Sequence, residues 1–76
     1  QVGAENALVA PLLASYRGLI AHLHGRLDDA EAHLLEAIAQ SRDTGQQRAQ
    51  AVSLIRLAAL QFGRGKLAAG NAIIAD

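Results

Sequence analysis

The sequence predicts an all-α fold built from antiparallel helical hairpins, and three observations lead to this prediction. Apolar residues make up 51% of the 76-residue chain but aromatic residues only 3%, so the hydrophobic mass is mostly Ala, Leu and Ile. Ala and Leu are strong helix formers. The apolar residues recur at three- and four-residue steps, as on one face of a helix. Glycines separate four segments with this spacing.

The first hairpin is predicted to join helices over residues 4–24 and 28–43. The first helix carries small residues, Ala14, Gly18 and Ala21, on one stripe, which allows a neighbouring helix to approach closely. Its large apolar residues share another face: Val9, Leu12, Leu13, Tyr16, Leu19, Ile20 and Leu23. The second helix is expected to turn an inner stripe to the core: Ala30, Leu34, Ala37 and Ile38.

Several residues predict where these helices begin, bend or end. Pro11 is expected in the first turn of its helix or at a kink. Asp28 is a predicted N-cap, and Glu31 follows at the spacing of a capping box. Gly45 is a natural C-terminal stop.

The second hairpin is predicted to join helices over residues 46–62 and 66–75. The first of these is apolar on two faces, which predicts burial on two sides. Ile73 and Ile74 in the last helix either cover the core or meet a neighbouring chain.

The sequence predicts that the two hairpins are repeats of one structural unit. The segment 19–26 is echoed by residues 57–64, an offset of about 38 residues, in the range of helical-hairpin repeats. We expect a single domain over residues 1–76, with one repeat over about 4–45 and a second over about 46–76. Two such repeats would form part of an α-superhelix.

Length and composition also bear on stability and context. A core of this size supplies about 3–5 kcal/mol or less, and the absence of cysteine excludes disulfides and thiolate zinc sites. Stability is therefore expected to come from burial against more protein. The chain has no methionine. We interpret this absence as a sign that the sequence is a piece of a longer chain, with proteolytic processing as the alternative explanation.

The formal net charge is zero, which argues against nucleic acid as the main partner. Residues 1–45 hold six acids and three bases, whereas residues 46–76 hold one acid and four bases. This asymmetry reflects either two solvated faces or electrostatic complementarity between stacked halves or copies. No apolar run approaches about 18 residues, so no membrane span is expected.

No motif predicts catalysis, a metal or another cofactor. His22 and His24 are two apart and do not face each other on a helix, and His33 lies on the next helix. The acids within 28–31 are explained by their place at a helix start. The segment 63–66 lacks the spacing and the preceding strand of a phosphate-binding loop. We therefore do not expect an enzyme.

We predict a partner-binding surface formed by Tyr16, Arg17, Arg56 and Gln61, because Tyr and Arg are enriched at binding hot spots. Our hypothesis is that Arg17 and Arg56 line one concave strip. The alternative is that Tyr16 belongs to the core and the arginines are solvated.

Five residues, Gly18, Gly25, Ala30, Leu34 and Ala37, carry a family resemblance. Their order and spacing resemble the tetratricopeptide repeat, with a small residue in helix A, a glycine in the turn, and Ala, a large apolar residue and Ala on helix B. The surrounding run looks like the longer helical repeats of LuxR-type and maltose-activator-like bacterial regulators.

The resemblance covers residues 16–40 well and the second hairpin less well. Gly70 stands where helix B usually has Ala, and Gly65-Lys66 looks like an insertion in the turn. The consensus Trp or Tyr of helix A and the terminal Pro are missing.

The resemblance implies a non-catalytic scaffold that binds a protein or peptide on a concave surface, within a cytoplasmic bacterial transcriptional or signalling regulator. From the net charge and the absence of a long apolar run, we expect no direct contact with nucleic acid or membrane. Two alternatives stay open: a helical oligomerisation domain, with a homodimer as its simplest form, and a segment that senses a small-molecule effector.

Overall fold

The computed structural model describes the backbone of residues 2–75 and the side chains of residues 9–75. Within residues 2–75 the chain forms four α-helices and no strand, which confirms the all-α prediction. The helices are α1 (Val2–Leu23), α2 (Leu27–Asp43), α3 (Gln47–Gly63) and α4 (Leu67–Ala75). Their ends lie close to the predicted ones. The helices pack as antiparallel hairpins: α2 on α1, α3 on both α1 and α2, and α4 on α3.

The three turns between the helices have the same geometry. Gly25, Gly45 and Gly65 adopt φ of 78°, 69° and 78°, a left-handed conformation that side chains with a Cβ rarely adopt. After each glycine, the next backbone N–H donates to the carbonyl five residues back: Arg26 to Ala21, Gln46 to Ser41 and Lys66 to Gln61, at 2.8–2.9 Å. This is the Schellman termination of a helix, and it confirms Gly45 as a stop.

The turns also correct the predicted repeat offset. The left-handed glycines are evenly spaced along the chain, so Gly25 is equivalent to Gly65 rather than to Gly63, the partner that the predicted offset implies. Gly63 is the last residue of α3 and keeps a helical φ. Gly65-Lys66 is therefore the normal turn and not an insertion, because the left-handed glycine defines the equivalent position. We call the alignment of the two hairpins that pairs Gly25 with Gly65 the turn equivalence.

The predicted capping box at the start of α2 is wrong. The N-cap is Arg26, without a side-chain hydrogen bond, and Asp28 lies inside the first turn. The Schellman turn leads the chain directly into α2, one residue earlier than predicted. The carboxylates of Asp28 and Glu31 are consequently available to α3 and the turn after it, where both find partners.

The small residues of α1 form its buried face. Ala14 and Ala21 are each 2% exposed, and Gly18 is buried. A Cβ added to Gly18 would lie 2.7 Å from Leu34 Cγ and 3.3 Å from the carbonyl oxygen of Ala30. The predicted close approach of a neighbouring helix at Gly18 is therefore confirmed, and that helix is α2.

Of the two places predicted for Pro11, the first turn of its helix is wrong. The proline stands inside α1, well after the helix begins at Val2, and its ring is almost fully buried. Helical structure continues on both sides of the proline. Burial of the ring is the favourable contribution that offsets the missing N–H donor.

The core lies between α2 and its two neighbours. The predicted inner stripe of α2 is confirmed, with Ala30, Leu34 and Ala37 fully buried and Ile38 at 7% exposure. One cluster joins this stripe to the helices on both sides: Ala21, Ala30, Leu34, Ile38, Leu57 and Leu60.

The predicted burial of α3 on two sides is confirmed in part, because α3 packs on α2 and also on α4, where Phe62 lies against Gly70. Leu57 and Leu60 are buried against α2. On the other face Ile55 is 66% exposed and Ala59 is exposed. The Cα atoms extend 43 × 27 × 13 Å, and a slab this thin leaves large apolar side chains on its surface.

Candidate functional site

The most prominent surface feature is a row of large apolar side chains on α1, called here the α1 stripe. Its members recur at three- and four-residue steps and lie opposite the buried small residues. They are Val9, Leu12, Leu13, Tyr16, Ile20 and Leu23, and each is between 44% and 74% exposed. The face predicted from the large apolar residues of α1 is thus mostly open to solvent.

Tyr16 and Arg56, two of the predicted binding residues, are in contact. The guanidinium carbon of Arg56 lies 5.7 Å from the centroid of the Tyr16 ring, within cation–π distance. The same guanidinium donates a 2.8 Å hydrogen bond to Oγ of Ser15, which is buried. Arg56 therefore joins α3 to α1 and holds the exposed Tyr16 ring in place within the α1 stripe.

Arg17 lies in a different environment, a concave surface of about 180 Å³ between α1 and α2. We call this surface the basic groove. Its lining consists of Arg17, Ile20, Ala21, Arg26, Asp29 and His33. Among residues 9–75 neither arginine of the groove has an ion pair. The structure therefore brings Tyr16 together with Arg56 and places Arg17 apart from them, next to α2.

Gln61 does not belong to the exposed surface that we predicted for it, because it is only 5% exposed. Its Nε2 donates a 2.7 Å hydrogen bond to Oε2 of Glu31. Arg64 adds an ion pair of 2.7 Å to Asp28 and one of 3.5 Å to Glu31. We call these contacts the α2–α3 clasp. Here the acidic first half of the chain meets the basic second half, which agrees with the second of the two interpretations of the charge asymmetry, complementarity between stacked halves.

A second concave surface lies between α3 and α4 and is almost entirely apolar. It measures about 210 Å³ and is lined by Ala51, Leu54, Ile55, Ile73 and Ile74. Ile73 packs partly against the core, whereas Ile74 is 65% exposed. The two isoleucines thus divide between the predicted alternatives: Ile73 covers the core and Ile74 faces outward.

The described part of the chain contains no cluster of three or more His, Cys, Asp or Glu side chains able to hold a metal ion. His22 lies near the end of α3, with Nε2 4.0 Å from where a Cβ on Gly63 would be, and His33 lines the basic groove. The α1 stripe and the basic groove together present apolar side chains, one aromatic ring, two guanidinium groups, one imidazole and one carboxylate.

Sequence reasoning missed the charged residues of the clasp, Asp28, Glu31 and Arg64, and half of the basic groove. Asp28 and Glu31 were explained as helix-start residues, and their partner Arg64 follows them by 36 and 33 positions along the chain. The opposite charges of the two halves were the available signal. Arg26 and His33 had no distinguishing pattern, since their proximity to Arg17 arises only when α2 folds back on α1.

No family model matches this chain, and no solved structure matches it. Among curated proteins, it is similar to the Regulatory protein AfsR of Streptomyces griseus, with 34% identity over 65 residues. That alignment covers 86% of this chain but spans only 7% of the AfsR length. In the part of the chain that the structure describes, no helix has the length and apolarity needed to span a membrane. The chain is thus an all-helical sequence similar to a short part of a bacterial regulatory protein.

Proposed function

We propose that this chain is a non-catalytic protein-interaction segment of a cytoplasmic bacterial transcriptional or signalling regulator. The α1 stripe carries the proposal, because it is an exposed, contiguous apolar surface on a helix whose opposite face is already buried. Single exposed apolar residues are common in soluble proteins, but contiguous patches mark interaction sites.

The composition of the stripe fits a partner-binding surface. Tyr16 stands in its middle, is 60% exposed and is held by Arg56. A ring fixed before binding loses little conformational freedom when a partner covers it. Leu13 and Ile20 flank it at half exposure and supply the apolar area that a partner would bury.

A tetratricopeptide-like helical repeat is the architecture we propose for this segment. The positions that resemble the motif have the expected environments: Ala30, Leu34 and Ala37 are fully buried, and Gly18 lies against Leu34. Helix α3 packs on both helices of the preceding hairpin, as stacked hairpins do. The unit that runs from Gly25 to Gly65 is longer than the tetratricopeptide unit of about 34 residues. This length supports the longer form of the repeat, which bacterial regulators contain.

The regulatory context rests on the similarity to AfsR. The name of that protein says that it is regulatory, and the aligned region is 7% of its length. A region this short within a long regulator is more consistent with an interaction or connecting segment than with a complete activity.

Site-specific photo-crosslinking tests the proposed function in the bacterium that makes the protein. A photo-reactive phenylalanine derivative is placed at Tyr16, and a matched control is placed at Arg42, which is exposed on α2. We expect a discrete protein adduct from position 16 only. The substitutions Leu13→Ser and Ile20→Ser should remove that adduct while the helical circular dichroism is unchanged. Equal labelling from both positions, or none from position 16, would contradict the proposal.

Self-association is the second candidate, and the apolar groove between α3 and α4 favours it. The α1 stripe of one copy and this groove of another could bury each other head to tail. Sedimentation equilibrium over a wide concentration range tests this self-association, since a monomer at every concentration would exclude it.

A small-molecule effector site has less support, because the two grooves measure about 180 and 210 Å³ and ligand pockets usually enclose about 300–1,000 Å³.

A further inference from the structure

We propose that the basic groove binds an acidic amphipathic helix supplied by a partner protein. The proposal rests on the proposed function and names the kind of partner segment. The groove combines the half-exposed side chain of Ile20 with the guanidinium groups of Arg17 and Arg26, and the buried Ala21 lies at its base. It adjoins the α1 stripe, to which Ile20 also belongs.

The structure contains an internal example of such an interaction. Helix α2 covers one face of the second hairpin, where Leu34 and Ile38 join Leu57 and Leu60 in the core cluster. Its carboxylates complete the contact: Asp28 and Glu31 accept hydrogen bonds from Arg64 and Gln61 in the α2–α3 clasp. An amphipathic helix with acids in its first turns is thus what covers this face of a hairpin in this protein.

The turn equivalence places the basic groove on the same face of the first hairpin. Arg17, Ile20 and Ala21 correspond to Leu57, Leu60 and Gln61, which α2 covers. His33 corresponds to Ile73, which packs against the core. In the first hairpin this face has no helix over it within residues 2–75, since α1 packs only on α2 and α3.

The charges of the groove define the chemistry of its occupant. Arg17 replaces a buried leucine of the second hairpin, and Asp29 is the one acid among the lining residues. A helix that covers the groove would remove both guanidinium groups from water, which is unfavourable unless carboxylates meet them. The occupant must therefore carry acids as well as apolar side chains.

A second copy of the chain fits this groove poorly. By the same equivalence, stacking two copies head to tail would place α4 of one over the basic groove of the other. Helix α4 has the sequence LAAGNAIIA and no charged residue, so the Arg17 charge would face an apolar surface without a counter-charge. A separate acidic helix avoids this penalty.

A peptide-binding experiment with the full chain tests the proposal. The probe is a fluorescent synthetic peptide of residues 27–43, the acidic helix that already packs on the equivalent face. Its affinity is measured by fluorescence anisotropy at low and high salt, for the original protein and for the Arg17→Ala/Arg26→Ala variant. A variant at two exposed arginines outside the groove, Arg42→Ala/Arg48→Ala, is the matched control. Circular dichroism checks that all three are equally helical.

We expect the groove variant to bind the peptide about tenfold more weakly, with most of the difference lost at high salt. A peptide with Asp28→Asn and Glu31→Gln should bind the original protein weakly and show no further loss with the groove variant. The control variant should retain its affinity.

Equal affinities of the original protein and the groove variant would overturn the proposal, as would an equal loss in the control variant. A dimer in sedimentation that dissociates in the groove variant would also overturn it, because the occupant would then be a second copy. If the peptide result fails while the Tyr16 crosslink is still observed, the acidic-helix inference is wrong and the proposed function stands.

Discussion

Gly18 is the position where the packing of α1 on α2 can be tested most directly. In Gly18→Ala the new Cβ would lie 2.7 and 2.8 Å from Cγ and Cδ2 of Leu34, and 3.3 Å from the carbonyl oxygen of Ala30. Non-bonded carbon atoms favour separations of about 3.5–4.0 Å. Leu34 is fully buried and the Ala30 oxygen belongs to the backbone, so the clash can be relieved only if the two helices separate.

Two opposing effects set the expected magnitude for Gly18→Ala. Replacing a helical glycine by alanine is favourable by about 1 kcal/mol, whereas overpacking a core is unfavourable by about 1–3 kcal/mol. Two such short contacts to one buried side chain place the clash in the upper part of that range. We expect a net loss of about 1–2 kcal/mol, which lowers the Tm by about 5–15 °C for a domain of this size. Thermal and urea unfolding followed by circular dichroism measure it.

The decisive control repeats Gly18→Ala in a Leu34→Ala background. Leu34→Ala alone should lower the free energy of unfolding by about 2–5 kcal/mol, so both backgrounds are measured with a stabilising osmolyte. With the leucine removed, the two shortest contacts of the added Cβ are gone and only the 3.3 Å contact with the Ala30 oxygen remains. In this background Gly18→Ala should stabilise by up to about 1 kcal/mol. This reversal of sign is the signature of the close approach. Stabilisation by Gly18→Ala in both backgrounds would refute the reasoning.

Two further pairs of variants test the turn register and the α2–α3 clasp by urea unfolding. Gly65→Ala should lower stability by about 1–2 kcal/mol, because φ of 78° forces alanine into a left-handed conformation, whereas Gly63→Ala in the helix should raise it by up to about 1 kcal/mol. If Gly63→Ala were instead destabilising and Gly65→Ala stabilising, the predicted pairing of Gly25 with Gly63 would be restored. Glu31→Ala should lower stability by about 1–2 kcal/mol, because Nε2 of the buried Gln61 loses its acceptor. Glu31→Gln should recover most of that loss, and no recovery would mean that charge rather than the hydrogen bond matters.

The helices and their order were predictable from the sequence, because apolar periodicity and turn glycines act over short range. The burial of the small stripe of α1 was harder to foresee. Both stripes of α1 are apolar, so periodicity cannot decide which one is covered. That choice depends on how closely α2 approaches, and Gly18 permits the short distance to Leu34. The large side chains of the other face were then left at the surface.

The candidate site was predictable only in part, because its geometry comes from contacts distant along the chain. Tyr16 and Arg56 were selected for their residue types, and the fold brings them together from two different hairpins. Gln61 was selected in the same way and is buried in the clasp instead. Nothing local distinguishes an arginine that holds a ring, as Arg56 does, from one that lines a groove, as Arg17 does.

The α2–α3 clasp explains why the two hairpins stack in one order. The polar residues that join them have no counterparts under the turn equivalence, because the first hairpin has Ala21 and His24 in place of the clasp's Gln61 and Arg64. Likewise, α4 has alanine and asparagine in place of the two acids of α2. The short turn from Asp43 to Gln47 already places α3 beside α2, and the clasp adds a polar preference for this order that apolar contact does not supply. An inverted stack would forfeit the Glu31–Gln61 hydrogen bond and leave buried polar groups unpaired, which is unfavourable by about 1–3 kcal/mol for each. The clasp therefore selects which faces meet inside the chain, and by the same selection it leaves the α1 stripe and the basic groove on the outside.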